Sequence, residues 1–177
     1  MSQIDHYAVF GSPIEHSKSP RIHTLFAEQT EQLMEYSTQL VSAEKFPRAV
    51  KDFFSSGGRG LNCTVPLKEL AWEYAKLKTE RAELAKALNT LAVQADGRIL
   101  GDNTDGIGLG TDIQNNHGIS LKQKRILILG AGGASRGIIL PILEQLPLSM
   151  TIANRTVAKA VTLADEFCHK AKINACG

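Results

Sequence analysis

The chain has 177 residues, 43% hydrophobic and 21% charged, which suits one good globular domain or two small ones. Its formal net charge of +2 is slight and its basic residues are scattered, so nothing calls for nucleic acid or an anionic membrane as partner. Three cysteines without metal-ligand spacing, a start (MSQIDHYAVFG) unlike a secretion signal and no apolar run of membrane-spanning length predict a cytoplasmic protein with reduced thiols.

Residues 6–10 (HYAVF) predict a short strand that stops at Gly11. After the loop SPIEHSKSP comes a helix with Ser19 as N-cap, Pro20 in the first turn and an apolar stripe of Ile22, Leu25 and Phe26. EYSTQLV (35–41) predicts a second strand. Ser42 is placed to cap a helix with Phe46, Ala49, Val50 and Phe53 on one side, ended by Gly57-Gly58. GLNCTV (60–65) predicts a third strand, and PLKELAWEYAKL a helix with Leu67, Leu70, Tyr74 and Leu77 at helical spacing. A short helix around 80–87 precedes Asn89, and TLAVQ and RIL flank Asp96-Gly97 as a hairpin. Strands alternating with helices predict an α/β domain with a mostly parallel sheet.

The pattern restarts after NNHG (115–118). KRILILG predicts a buried strand, GASRGIILPILEQL a helix interrupted near its end by Pro141, and SMTIAN (149–154) the next strand. TVAKAVTLADEFCHKA predicts another helix, and KINACG the start of a third strand. Between the first strand and helix stands GAGGAS: Gly130, Ala131, Gly132, Gly133, Ala134 and Ser135. That placement is the context of a dinucleotide fingerprint, in which Gly130 permits the tight turn and Gly132 lets backbone amides approach a pyrophosphate. Ser135 stands where a third glycine is common, and a purely structural tight turn is the weaker alternative. A full Rossmann-type domain has two βαβαβ halves, and this chain supplies about one. The expected division is therefore an α/β domain over 1–105 and an incomplete dinucleotide-binding domain over 106–177.

The end of the second cofactor strand selects the dinucleotide. NAD binders usually place an acid there for the ribose hydroxyl. Here the residues are Asn154, Arg155 and Thr156, with Lys159 one turn into the helix, which favours the 2′-phosphate of NADP. Two readings stand for Ser17-Lys18-Ser19: simple capping, or two hydroxyls for a substrate carboxylate. Asn62 and Thr64 fall on one face of the third strand, and Lys68 follows in the first turn of a helix. A lysine there is usually solvated; Asp105 as partner raises Lys68 above that prior. GDNTDG (101–106) suits either a turn or a site for the hydroxyls of a polar ligand. His16 and His23 have no metal-ligand spacing and read as solvated or locally hydrogen-bonded.

Six stretches in this order and spacing, YAVFGSPIEHSKSPRIH, GLNCTVPLK, ALNTL, GDNTDGIG, LILGAGGASRG and ANRT, resemble the shikimate dehydrogenases, NADP-dependent enzymes of aromatic amino-acid biosynthesis. The resemblance runs from residue 7 to about residue 167. It implies reversible oxidation of shikimate to 3-dehydroshikimate by an N-terminal substrate domain and a C-terminal Rossmann-type domain. Carried over by position, Ser17 and Ser19 bind the substrate carboxylate, and Asn62, Thr64, Asn89 and Asp105 its ring hydroxyls. Lys68 and Asp105 match the catalytic pair; Gly130–Ser135 hold the pyrophosphate, and Asn154, Arg155, Thr156 and Lys159 the 2′-phosphate. Cys63 replaces a commoner valine, and KALNTL lacks a small Gly-Ala pair. The second half of the cofactor domain is expected to be missing, so a monomer or homodimer, or self-association through surface bared by truncation, is the expected state. A related quinate/shikimate dehydrogenase using NAD and a catalytically inactive substrate-binding fragment are the alternatives.

Overall fold

The computed structural model describes residues 4–177. Met1–Gln3, part of the N-terminal stretch read above for a secretion signal, lie outside the described residues. The described residues pack as two units, residues 4–79 with 88–102, and residues 80–87 with 103–177. The sequence reading had a single crossing at 105/106. Packing instead sends 80–87 out to the second unit and back before the final passage at 102/103.

The first unit is built on β1 (Asp5–Gly11), α1 (Ser19–Gln29), β2 (Met34–Leu40), α2 (Phe46–Ser55), β3 (Gly58–Cys63), α3 (Lys68–Tyr74) and β4 (Leu77–Lys78). After helix α4 (Glu80–Ala85), which belongs to the second unit, the chain returns through β5 (Thr90–Val93) and β6 (Ile99–Asp102). The strands form a six-stranded sheet in the order β2-β1-β3-β5-β6-β4. Only β5 runs against its neighbours, because the tight turn at Asp96-Gly97 reverses the chain into β6; Gly97 takes φ +80° there. Phe10, Phe46, Val50, Leu61, Leu67, Leu88 and Leu91 are buried, each contributing about 1.5–3 kcal/mol over the exposed side chain. The rings of Phe10 and Phe53 pack edge to face with centroids 5.7 Å apart.

Several boundaries differ from the sequence reading. Ser19 is the first helical residue and not the cap: Lys18 holds the cap position, and Ser17 Oγ accepts from the Ser19 N–H at 3.3 Å. Ser42 leads into a 3₁₀ turn (Ala43–Lys45) before α2 begins. Gly57, at φ +93°, ends α2 as read, but Gly58 already opens β3. Leu77 leaves the helix for strand β4, since α3 stops at Tyr74 and Ala75 is extended. Thr64 lies one residue beyond β3, although its N–H still donates to the Phe10 carbonyl at 2.9 Å.

The second unit contains α4, α5 (Asp105–Thr111) with a π-helical turn (Asp112–Asn116), β7 (Arg125–Leu129), α6 (Gly133–Leu143), β8 (Ser149–Ala153), α7 (Val157–Glu166) and β9 (Ile173–Cys176). β7, β8 and β9 form a parallel three-stranded sheet in that order. Ile128, Ile139, Ile142, Met150, Ile152, Leu163 and Phe167 form its core. The expectation that β7 is buried throughout is corrected here. Ile128 is inside, but Leu127 is 61% and Leu129 78% exposed, because β7 is an edge strand covered on one face. Pro141 sits inside α6 without ending it. Among the described residues no helix is long and apolar enough to cross a membrane.

Candidate functional site

In the first unit the chemistry gathers at the carboxyl ends of β1 and β3, where open parallel sheets bind ligands. The loop after β1 carries Ser17 and Ser19; the segment after β3 carries Thr64 and Lys68; both serines, Thr64 and Lys68 are half-buried. Asn62, the penultimate residue of β3, is the hub. Its Nδ2 donates to the Asn89 carbonyl at 3.0 Å and to Thr90 Oγ1 at 3.2 Å. Thr90 Oγ1 donates in turn to Asn89 Oδ1 at 2.9 Å. The Asn89 carbonyl also accepts from the Cys63 N–H at 2.9 Å, and the Lys68 carbonyl from the Leu88 N–H at 2.8 Å. The first residue of α3 is thereby tied to the segment that carries Asn89.

Sequence reasoning missed Tyr36. Its hydroxyl donates to Asn62 Oδ1 at 2.5 Å and shares a hydrogen bond with Ser19. Burial pushes the phenol well above the ordinary tyrosine value, the Ser19 bond opposes this, and nearby Cys63 adds to it. Tyr36 therefore stays a neutral donor. His23 stacks flat on its ring, with centroids 4.2 Å apart, and burial holds that imidazole below its ordinary pKa. The solvated reading of His23 is thus replaced by a stacked, half-buried ring that supports Tyr36. One signal was available: His23 lies four residues after Ser19, on the same helix face. Burial also raises the Cys63 thiol strongly, with the Lys68 ammonium opposing less.

In the second unit Asp105 opens α5, and its N–H donates to Asn103 Oδ1 at 3.1 Å. The GAGGAS turn joins β7 to α6. Gly130 adopts φ +110°, a conformation that favours glycine, and its N–H donates to the Ala153 carbonyl at 2.7 Å. Gly132 is the extended N-cap of α6, and a Cβ there would meet open space. Ala131 and Gly133 are half-buried, Ala134 is exposed and Ser135 is buried at 8% exposure. The first amides of an eleven-residue helix thus stand beside an uncrowded glycine backbone, which fits a pyrophosphate. At the end of β8, Asn154 Nδ2 donates to the Thr156 carbonyl at 2.8 Å, shaping the turn into α7. Arg155, Thr156 and Lys159 are exposed around that turn. The donor set fits a 2′-phosphate.

A cavity of about 570 Å³ beside Tyr74, Leu77, Arg98 and Ile99 holds none of these residues, so cavity volume does not mark this chemistry. Among the described residues no group of three or more His, Cys, Asp or Glu could hold a metal.

Residues 9–91 match the family described as "Shikimate dehydrogenase substrate binding domain", and residues 112–176 that described as "Shikimate / quinate 5-dehydrogenase". The chain is 55% identical over 177 residues to a shikimate dehydrogenase (NADP(+)) of Methylococcus capsulatus, covering 100% of this chain and 63% of that relative. Among solved structures, the Ael1 enzyme from Pseudomonas putida superposes with a TM-score of 0.86 at 47% identity, over 98% of this chain and 63% of that one. A shikimate 5-dehydrogenase from Thermus thermophilus, in complex with NADP(H) and shikimate, gives 0.84 at 33% identity, over 96% and 62%. The chain thus spans less than two thirds of the length of each. Two family matches in chain order, and relatives aligned along nearly its whole length, make this chain similar to shikimate dehydrogenases from residue 9 to residue 176.

Proposed function

We propose that this chain carries the substrate-binding part and the phosphate-binding part of an NADP-dependent shikimate dehydrogenase, a cytoplasmic enzyme that interconverts shikimate and 3-dehydroshikimate. The observation that carries the reading is the polar group at the carboxyl ends of β1 and β3, in which Tyr36 joins Ser19 to Asn62 and Asn62 is bonded to Asn89 and Thr90. Ser17 and Ser19 take the substrate carboxylate; Asn62, Thr64 and Asn89 take ring hydroxyls.

NADP⁺, when bound, supplies the hydride acceptor. As the carbinol carbon becomes a carbonyl, its hydroxyl proton must leave. Lys68 Nζ takes that proton when neutral and stabilises the developing alkoxide when charged. The Asp105 carboxylate accepts from the hydroxyl and orients it. The amides of Gly130–Ser135 bind the pyrophosphate, while Arg155 and Lys159, with Asn154 and Thr156, bind the 2′-phosphate. The absence of a carboxylate among Asn154, Arg155 and Thr156 speaks against the NAD-dependent quinate/shikimate alternative.

The test is turnover by purified chain of verified mass, with shikimate and each dinucleotide in turn, alongside calorimetric titration with shikimate. The reading predicts shikimate binding and a preference for NADP. Equal use of NAD would overturn the cofactor assignment, and absence of shikimate binding would overturn the substrate.

A further inference from the structure

Asn103 is one of the few buried polar side chains, at 3% exposure, and nothing above gives it a task. Two bonds of its amide run in opposite directions. Nδ2 donates to the Ala87 carbonyl at 2.8 Å, just past the end of α4. Oδ1 accepts from the N–H of Asp105, two residues ahead, at 3.1 Å. That second bond is an Asx turn, and it orients the first turn of α5.

The surroundings leave Asn103 little freedom. A Cβ on Gly137, in the middle of α6, would lie 2.7 Å from both Asn103 Oδ1 and Nδ2. A Cβ on Gly106, beside Asp105, would lie 2.5 Å from the Gly137 carbonyl and from Pro141 Cγ. The amide is therefore clamped between α4, the start of α5 and the flank of α6, and α6 is the helix opened by the GAGGAS turn.

We propose that Asn103 is a positioning residue for Asp105, fixing the direction of that carboxylate by bonding its backbone and by lying against Gly137 of α6. The proposal rests on the catalytic role given above to Asp105. It adds that the acid is registered to the phosphate-binding helix through one buried amide, so the two parts of the reaction share a rigid support. Small displacements matter at this level: about 1 Å can cost ~10²-fold in rate.

The test compares the 177-residue chain with Asn103→Ala, Asn103→Ser, Gly137→Ala and the Asn103→Ala/Gly137→Ala double variant. Serine keeps an oxygen able to accept from the N–H two residues on, but cannot reach Ala87. Two readouts are taken: kcat and KM for shikimate, and hydrogen exchange of the Asp105 amide by ¹⁵N-resolved NMR. Asn103→Ala is expected to lower kcat about tenfold or more, to change KM less than about threefold and to speed Asp105 amide exchange. Asn103→Ser should recover most of both effects. Gly137→Ala should reproduce them by displacing Asn103, yet add little once the amide is gone.

A normal exchange rate at Asp105 in Asn103→Ala would overturn the proposal, as would strictly additive effects of the two substitutions. So would near-normal kcat in Asn103→Ala where Asp105→Asn abolishes turnover. The exchange readout and its double-variant comparison need no turnover, so absence of shikimate binding would count against the functional reading while these still decide the role of Asn103.

Discussion

Tyr36 bears no charge and belongs to no motif, yet its phenol joins Ser19 to Asn62. Tyr36→Phe removes the donor while keeping the ring that His23 stacks on. An acceptor left unpaired in a buried setting costs about 1–3 kcal/mol, so titration calorimetry should show shikimate bound roughly tenfold more weakly, with the dinucleotide affinity unchanged. An equal loss of both affinities would mark Tyr36 as a general prop of the fold. Lys68→Ala has a different signature. General acid–base help is commonly worth ~10²–10⁴-fold, so kcat should fall by that order while KM moves far less. At the end of β8, Arg155→Ala should impair NADP by about 1.5–3 kcal/mol and leave NAD nearly untouched, because only NADP carries the 2′-phosphate. Parallel kinetics with the two dinucleotides reads the difference.

Between residue and domain stands the ionic clamp of the second unit. Arg136 of α6 forks onto Glu166 at the end of α7, at 2.7 and 3.0 Å, and Lys86 after α4 reaches the same carboxylate at 3.1 Å. The Arg136 and Glu166 side chains are only 14% and 20% exposed. Arg136 holds the Glu166 carboxyl below the ordinary glutamate value, more strongly than burial raises it, and Lys86 assists. A carboxyl lowered on folding contributes stability in full above its ordinary pKa and loses it as pH falls through the folded value. Thermal melts should therefore show an acid-side loss for this chain that Glu166→Gln lacks. At neutral pH the same substitution, by stranding Arg136, should cost about 2–3 kcal/mol, less than a fully buried pair would. The strand–turn–helix at GAGGAS was legible because a continuous apolar run, glycines and a long apolar helix all agreed. α5 was not, because Gly106, Gly108 and Gly110 argue against a helix locally, and only the close approach of Gly106 to α6 explains one. Leu77 fitted helical spacing and went to a strand, since one residue of a four-point stripe cannot outweigh an extended Ala75. Tyr36 was missed because its partners are distant in sequence. The polar positions of the candidate site were legible as motifs, but the bonds that hold them were not.

At the scale of the molecule, β7 leaves one long edge unpaired and projects Leu127 and Leu129 into water. Apart from Arg125 at its start this edge is apolar, and such an edge is a template for another strand. Light scattering on a size-exclusion column should show concentration-dependent self-association, and Leu129→Lys should return the chain to monomer; a monomer at all concentrations would refute it. The excursion of residues 80–87 into the second unit has a further consequence, for synthesis. Helix α4 is made early, but its packing partner α6 (Gly133–Leu143) follows about fifty residues later. At ~5–20 residues per second that is a wait of several seconds, with Ala82 and Ala85 lacking the neighbours that finally bury them. Vectorial folding of this chain therefore cannot finish one unit before starting the other. A nascent chain with residues up to about 115 outside the ribosome would present a first sheet able to form and, within its span, an orphan helix open to protease.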